Sequence, residues 1–208
     1  MRRRVGNTVI AGVTAVALCS GAWLLWGGAG GGPPQPAAAE ARERQHGRER
    51  AAAAALPPSP PDRVRIPVIG VDAPLIGLGL TRGGSLDVPP ADDDNLAGWY
   101  EAGTTPGETG TAIVAGHVDN AEGPSVFYRL GALKRGFTVQ VDRRDGSVAV
   151  FSVDAVEVYD AADFPDEKVY GRAGRPELRV ITCGGGWSRG GGYAGNVVVF
   201  AHLTGVRR

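Results

Sequence analysis

The sequence predicts an all-β domain behind a membrane-spanning segment, and three observations carry that expectation. From Asp62 onward, short β-branched runs are separated by turn residues. The 33 glycines and 15 prolines gather in the stretch ahead of that domain and in its turns, which suits strands joined by tight connections better than a helical bundle. No set of long helical patterns alternates with the strands, so a parallel α/β sheet is not expected.

In chain order, Arg2, Arg3 and Arg4 precede an uncharged stretch that runs to Ala39. Its most apolar part, Thr8 to Trp26, is close to the ~20 residues a helix needs to cross a bilayer. Trp23 and Trp26 suit the membrane interface, and the arginines suit the cytoplasmic side. Residues 1–7 therefore read as a basic tip and residues 8–27 as a single-pass anchor that leaves the remainder outside. The alternative is a cleaved signal peptide, with Ala37, Ala38 and Ala39 supplying small residues; the length of the apolar run favours the anchor. Cys19 reads as a small residue of the membrane helix and not as an acylation site, because bulky Leu18 precedes it and Trp23, Leu24 and Leu25 follow.

Residues 28–61 read as a linker. Its first part is rich in Gly and Pro, and its middle, Ala37 to Ala55, offers a short helix little to bury. Pro57-Pro58-Ser59-Pro60-Pro61 reads as a stiff, extended spacer. His46 stands there among charges and is read as solvated.

Residues 62–208 form the folded domain. Candidate strands are Val64–Ile69, Ala112–Ala115, Thr138–Asp142, Val148–Val158, Leu178–Thr182 and Val197–Ala201. Pro67 favours an edge or a strand start. Arg144-Asp145-Gly146 reads as a hairpin turn. Val126–Leu130, after Pro124 and before Gly131, reads as a short helix. Strands this short and this numerous suggest a barrel or a sandwich, with the barrel favoured.

Lys+Arg and Asp+Glu each number 22, which argues against nucleic-acid binding, since that needs a basic surface to neutralise phosphates. The two cysteines are Cys19 and Cys183. The folded domain thus carries a lone thiol, which in an exported protein points to reactivity.

Two strand-like runs end at residues able to do chemistry. Thr111–Gly116 leads into His117, and Leu178–Thr182 leads into Cys183, followed by Gly184, Gly185 and Gly186. A group at the tip of a rigid strand beside glycines is accessible yet accurately held. A thiol attacks only as thiolate, and histidine can take its proton and return it to a leaving amine. An arginine can hydrogen-bond the oxyanion that develops in acyl transfer. Each residue also has a bland reading. A lone cysteine after a strand is often core, and a histidine there is often an ordinary semi-buried side chain. His202, after the last strand and without glycines around it, is assigned to structure. No paired-ligand spacing supports zinc, and no Gly-x-Ser-x-Gly elbow supports a serine triad.

These segments resemble the sortase family, and most of all its actinobacterial class F members. Thr111 to His117 matches the family's Thr-(Ile/Leu)-x-Gly-His type motif, and Arg179-Val180-Ile181-Thr182-Cys183 is a reduced Thr-Leu-x-Thr-Cys motif. Gly116-His117-Val118-Asp119, Gly123 to Leu130, and Ile181-Thr182-Cys183-Gly184-Gly185 look like class F. The resemblance runs from Arg65 to Leu203. It implies an eight-stranded β-barrel with one or two short helices. It also implies a cysteine transpeptidase that cuts a C-terminal sorting motif of the Leu-Pro-x-Thr-Gly kind between Thr and Gly. A thioacyl enzyme is then resolved by an amine acceptor such as a cell-wall precursor. The substrates implied are secreted proteins or peptides bearing that motif; the enzyme is expected to be a monomer without cofactor. Some relatives bind calcium through acidic loops; here Asp92-Asp93-Asp94 reads as a solvated turn.

The resemblance implies Cys183 as nucleophile and His117 as its proton partner. Many sortases place an arginine where this chain has Asn196, so Arg189 is taken as the third site residue and Arg179 as the fallback. Asp119 can orient the imidazole or serve the turn. Two other readings remain open at this point. A peptidoglycan L,D-transpeptidase also uses Cys and His, but with a Ser-His-Gly-Cys signature that Cys183 does not follow. A membrane-tethered β-domain that only binds a partner needs no reactive thiol.

Overall fold

The computed structural model describes residues 32–36, 51–188 and 192–208. The expected membrane anchor, Cys19, His46 and Arg189 lie outside these residues; among those described, no helix is long and apolar enough to cross a membrane.

The chain forms β1 (Pro61–Ile66), β2 (Val71–Leu78), β3 (Ala97–Tyr100) and β4 (Gly110–Gly116). A small bridge of β5 (Asp119–Asn120) and β6 (Gly123–Pro124) follows, then β7 (Thr138–Arg143), β8 (Val148–Asp160), β9 (Pro176–Ser188) and β10 (Gly192–Arg207). Eight strands close into a barrel in the order β1-β2-β3-β4-β9-β10-β8-β7. The β2–β3 and β4–β9 pairs are parallel, and the other neighbours are antiparallel. Closure pairs both edges of each of these eight strands.

Strand alternation decides what faces the interior. Ala112 and Val114 of β4, Leu178 and Val180 of β9, and Val197, Val199, Ala201 and Leu203 of β10 point inward and form the core with Phe151 and Val153. Their neighbours Ile113, Ile181, Val198 and Phe200 point outward into a second apolar cluster. That cluster is covered by the β8–β9 connection, which carries the short helix α1 (Asp166–Tyr170).

Several local expectations meet the structure differently. Pro67 does not sit in a strand: β1 stops at Ile66, and Pro67–Ile69 makes a tight 3-10 turn closed by Gly70 at φ 76°. Val126–Leu130 is not an α-helix. Turns there run into a 3-10 segment at Leu130–Ala132, and Val126, Phe127, Leu130 and Leu133 insert into the barrel mouth, so packing overrides the helix signals. Among the described residues the α-helix is α1, opened by Asp166 and Glu167 and ended at Gly171. The hairpin at Arg144-Asp145-Gly146 joins β7 to β8, with Gly146 at φ 80°.

The proline-rich run ahead of β1 lies against the barrel. Ala53 N–H donates to Leu203 O at 2.9 Å, and Leu56 N–H donates to Gly107 O at 2.8 Å. Ala53 and Leu56 pack on the core. The buried Arg143 guanidinium donates to Pro57 O and to Ser147 Oγ. This segment covers the rim at which β4 and β9 begin.

Candidate active site

The parallel pairing of β4 with β9 sets Ala115 opposite Ile181. Two residues further along each chain stand His117 and Cys183, so equal offsets bring both to one rim of the barrel. The tips are tied together, because Thr182 Oγ1 donates to Gly116 O at 2.8 Å. Gly116 has no room for a side chain: a Cβ there would stand 2.7 Å from Phe127 Cδ2. The turn leaving His117 can therefore press against the aromatic plug of the barrel mouth, and Phe127 N–H donates back to His117 O at 3.0 Å.

Cys183 and His117 are partly exposed and line a cleft of about 340 Å³ on the outer wall of the barrel. Ala115, Ile181 and Asn196 form its floor. Leu86 and Val88 of the β2–β3 connection and Tyr170 of α1 form its roof. A second cleft of about 380 Å³ shares Leu86 and Tyr170 with the first and continues over Ile113, Tyr100 and Leu80. Burial, with the charge of Asp166 adding to it, pushes the Tyr170 phenol up to about 12, so this shared wall stays neutral.

His117 Nε2 lies 2.8 Å from Pro89 O. A carbonyl only accepts, so Nε2 carries the proton and Nδ1 is the basic nitrogen of the neutral ring. Asp119 follows in β5 and accepts a hydrogen bond from the Tyr193 hydroxyl at the start of β10. Burial raises the Asp119 carboxyl above its ordinary value; the bond from Tyr193 and the nearby charge of His117 offset this only in part. The Tyr193 phenol is pushed far above its usual value, first by burial and then by Asp119, with smaller effects from Tyr128 and Cys183. Tyr193 is thus a permanent donor, and Asp119 stands within electrostatic reach of the imidazole.

Of the other residues singled out from sequence, Arg179 is buried and turned away from the cleft. It pairs with Glu177 at 2.7 Å and lies over the Phe200 ring. His202 is 1% exposed, sits opposite Glu177 near the far rim, and has Nδ1 2.7 Å from Asp154 Oδ1. Asp92, Asp93 and Asp94 are exposed, and Asp93 closes a turn by accepting the Asn95 N–H. Sequence reasoning names neither Tyr193 nor Tyr170 for the site. Tyr193 stands among glycines with no periodic pattern to place it, and Tyr170 belongs to a five-residue helix too short to leave a pattern in the sequence.

Residues 64–204 match the model of the sortase domain, a span running from β1 to β10 that includes both strand tips. Among curated proteins, none matches the sequence. Solved structures share the fold. The SrtA sortase from Actinomyces oris is 20% identical over 73% of this chain and 87% of that chain, with a TM-score of 0.53. Sortase A from Listeria monocytogenes is 14% identical over 72% of this chain and 90% of that one, at a TM-score of 0.52. A mutant sortase C-1 from S. pneumoniae is 23% identical over 68% of this chain, at a TM-score of 0.52; the match spans only 64% of that chain's length. The domain match covers most of the sequence and includes both residues at the barrel rim, and on that ground the chain belongs to the sortase family.

Proposed function

We propose that this protein is an extracytoplasmic cysteine transpeptidase, held by a single-pass anchor at residues 8–27 and most like class F sortases. Its substrates are exported proteins or peptides ending in a Leu-Pro-x-Thr-Gly-like sorting signal. The observation that carries the reading is the parallel register that sets His117 and Cys183 at one rim, above an open cleft.

In the reactive form, the Cys183 thiol has given its proton to His117. The thiolate sulfur attacks the carbonyl carbon of the Thr–Gly bond, and the carbonyl electron pair moves onto oxygen. Arg189 is the proposed cationic donor to that oxyanion. As the C–N bond breaks, the imidazolium returns its proton to the departing glycine amine, which leaves a thioester on Cys183. An incoming amine then attacks the thioester carbonyl and gives its proton to His117. The C–S bond breaks, and the substrate is joined to its acceptor by a new amide. No step in this cycle requires a cofactor. The apolar floor of Ala115 and Ile181 under Leu86 and Val88 suits the leucine and proline of the signal.

Incubation of the full-length chain with a Leu-Pro-x-Thr-Gly peptide should give a Cys183-linked acyl adduct by mass spectrometry, and with an added amine a transfer product. Cys183→Ala should abolish both. Cleavage that persists in Cys183→Ala would refute the proposal.

A further inference from the structure

Asn196 occupies a place at the site for which the proton chemistry has no use. In the antiparallel β9–β10 pair it lies directly opposite Cys183. Directly opposed residues share a face and have Cβ atoms about 4.5–5.5 Å apart. Val197 beside it points into the core at 2% exposure, so Asn196 points outward with the sulfur, and it lines the same cleft. Among the described residues, no hydrogen bond engages its carboxamide.

The polar groups beside the two strand tips are already committed. Thr182 Oγ1 donates to Gly116 O, Tyr193 donates to Asp119, and His117 Nε2 is turned to Pro89 O. A carboxamide across one strand from the nucleophile, on an apolar floor and without an acceptor of its own, is a donor kept for a ligand.

We propose that Asn196 is a catalytic residue whose Nδ2–H donates to the scissile carbonyl oxygen. The inference rests on the transpeptidase reading. As Cys183 Sγ bonds to the carbonyl carbon, the π pair moves onto that oxygen, and the amide hydrogen faces the charge that forms. Collapse to the thioester returns the pair to the C=O bond. The same contact serves the second tetrahedral intermediate, when the amine attacks. A neutral amide does this without placing a further cation beside the imidazolium.

The test compares full-length wild type with Asn196→Ala and Asn196→Asp, the latter keeping the shape but losing the donor. Peptide cleavage, alkylthiolation of Cys183 by a methanethiosulfonate, and binding of a sorting-motif peptide aldehyde are measured. Attack on the methanethiosulfonate occurs at sulfur and builds no oxyanion, so Asn196→Ala should react with it at the wild-type rate. Cleavage kcat should fall roughly 10²–10³-fold with KM little changed, the loss typical of one oxyanion donor. Affinity for the aldehyde, whose adduct carries a tetrahedral oxygen, should fall in parallel. Should Asn196→Ala fail to fold, the same losses are expected of Asn196→Asp. Wild-type kcat in the variants would overturn the assignment, and so would a parallel loss of methanethiosulfonate reactivity in Asn196→Ala. A wild type whose thiol reacts but which cleaves no sorting peptide would instead overturn the transpeptidase reading.

Discussion

Asp119 is under two opposed demands. Its burial favours the neutral acid, whereas the bond from Tyr193 and the charge of His117 favour the carboxylate. The folded state raises its titration above the unfolded value. Its contribution to stability is therefore complete below the ordinary carboxylate range and is lost as pH rises through the folded value. At neutral pH the ionised group is a burden on folding. Asp119→Asn should leave the thermal midpoint unchanged or higher at pH 7, with that advantage vanishing in acid. Cleavage should nonetheless fall about tenfold, or about 1.4 kcal/mol of barrier. Because the imidazolium loses a nearby anion, the limb of the cleavage pH profile that reports His117 should move to lower pH. Tyr193→Phe should act in the same direction and more weakly, and adding it to Asp119→Asn should cost nothing further, since the hydroxyl works through the carboxylate. Additive losses would show that Tyr193 acts by another route.

The strands that carry the site are legible, whereas part of the wall beside them is not. Thr111–Gly116 and Leu178–Thr182 are short runs rich in β-branched residues with both faces covered, and such runs announce themselves. β2 is obscured by Pro74 and Gly77, and β3 is a four-residue strand, Ala-Gly-Trp-Tyr, without alternation. Only the barrel makes sense of Gly98, where a Cβ would stand 2.4 Å from the Leu78 side chain. The same limit explains why Asn196 reads in sequence as the loss of an arginine, whereas the β9–β10 register sets it opposite the sulfur. β9 also begins with a charged group that can be tested. Burial pushes the Glu177 carboxyl up, but hydrogen bonds from Arg179 and Arg175, with their charge, more than offset this and leave it below its ordinary value. That stability is present above the unfolded value and is lost as pH falls through the folded one. Glu177→Gln should lower Tm by roughly 2–6 °C at pH 7. The gap should close in acid, as measured by calorimetry across pH 3 to 7.

At the scale of the whole molecule, the two ends of the barrel have different tasks. One end presents the thiol and imidazole; the other is covered by residues 51–60, where Leu56 packs on the core beside Gly107. Leu56→Ala should cost about 1–2 kcal/mol, below the ~2–5 kcal/mol of a fully buried leucine because the side chain is only partly covered. Peptide cleavage at permissive temperature should be unchanged, so denaturant melts and turnover together separate the ends. A variant as stable as wild type would mean that this segment merely rests on the rim. Cys183 and His117 stand on the outside of a cylinder whose inside is filled by apolar side chains. The chassis and the tooling are therefore nearly independent: the roof over the cleft can be lengthened, shortened or exchanged without opening the hydrophobic filling. A lineage can acquire a new clientele by remodelling two surface connections while the staves underneath stay as they are.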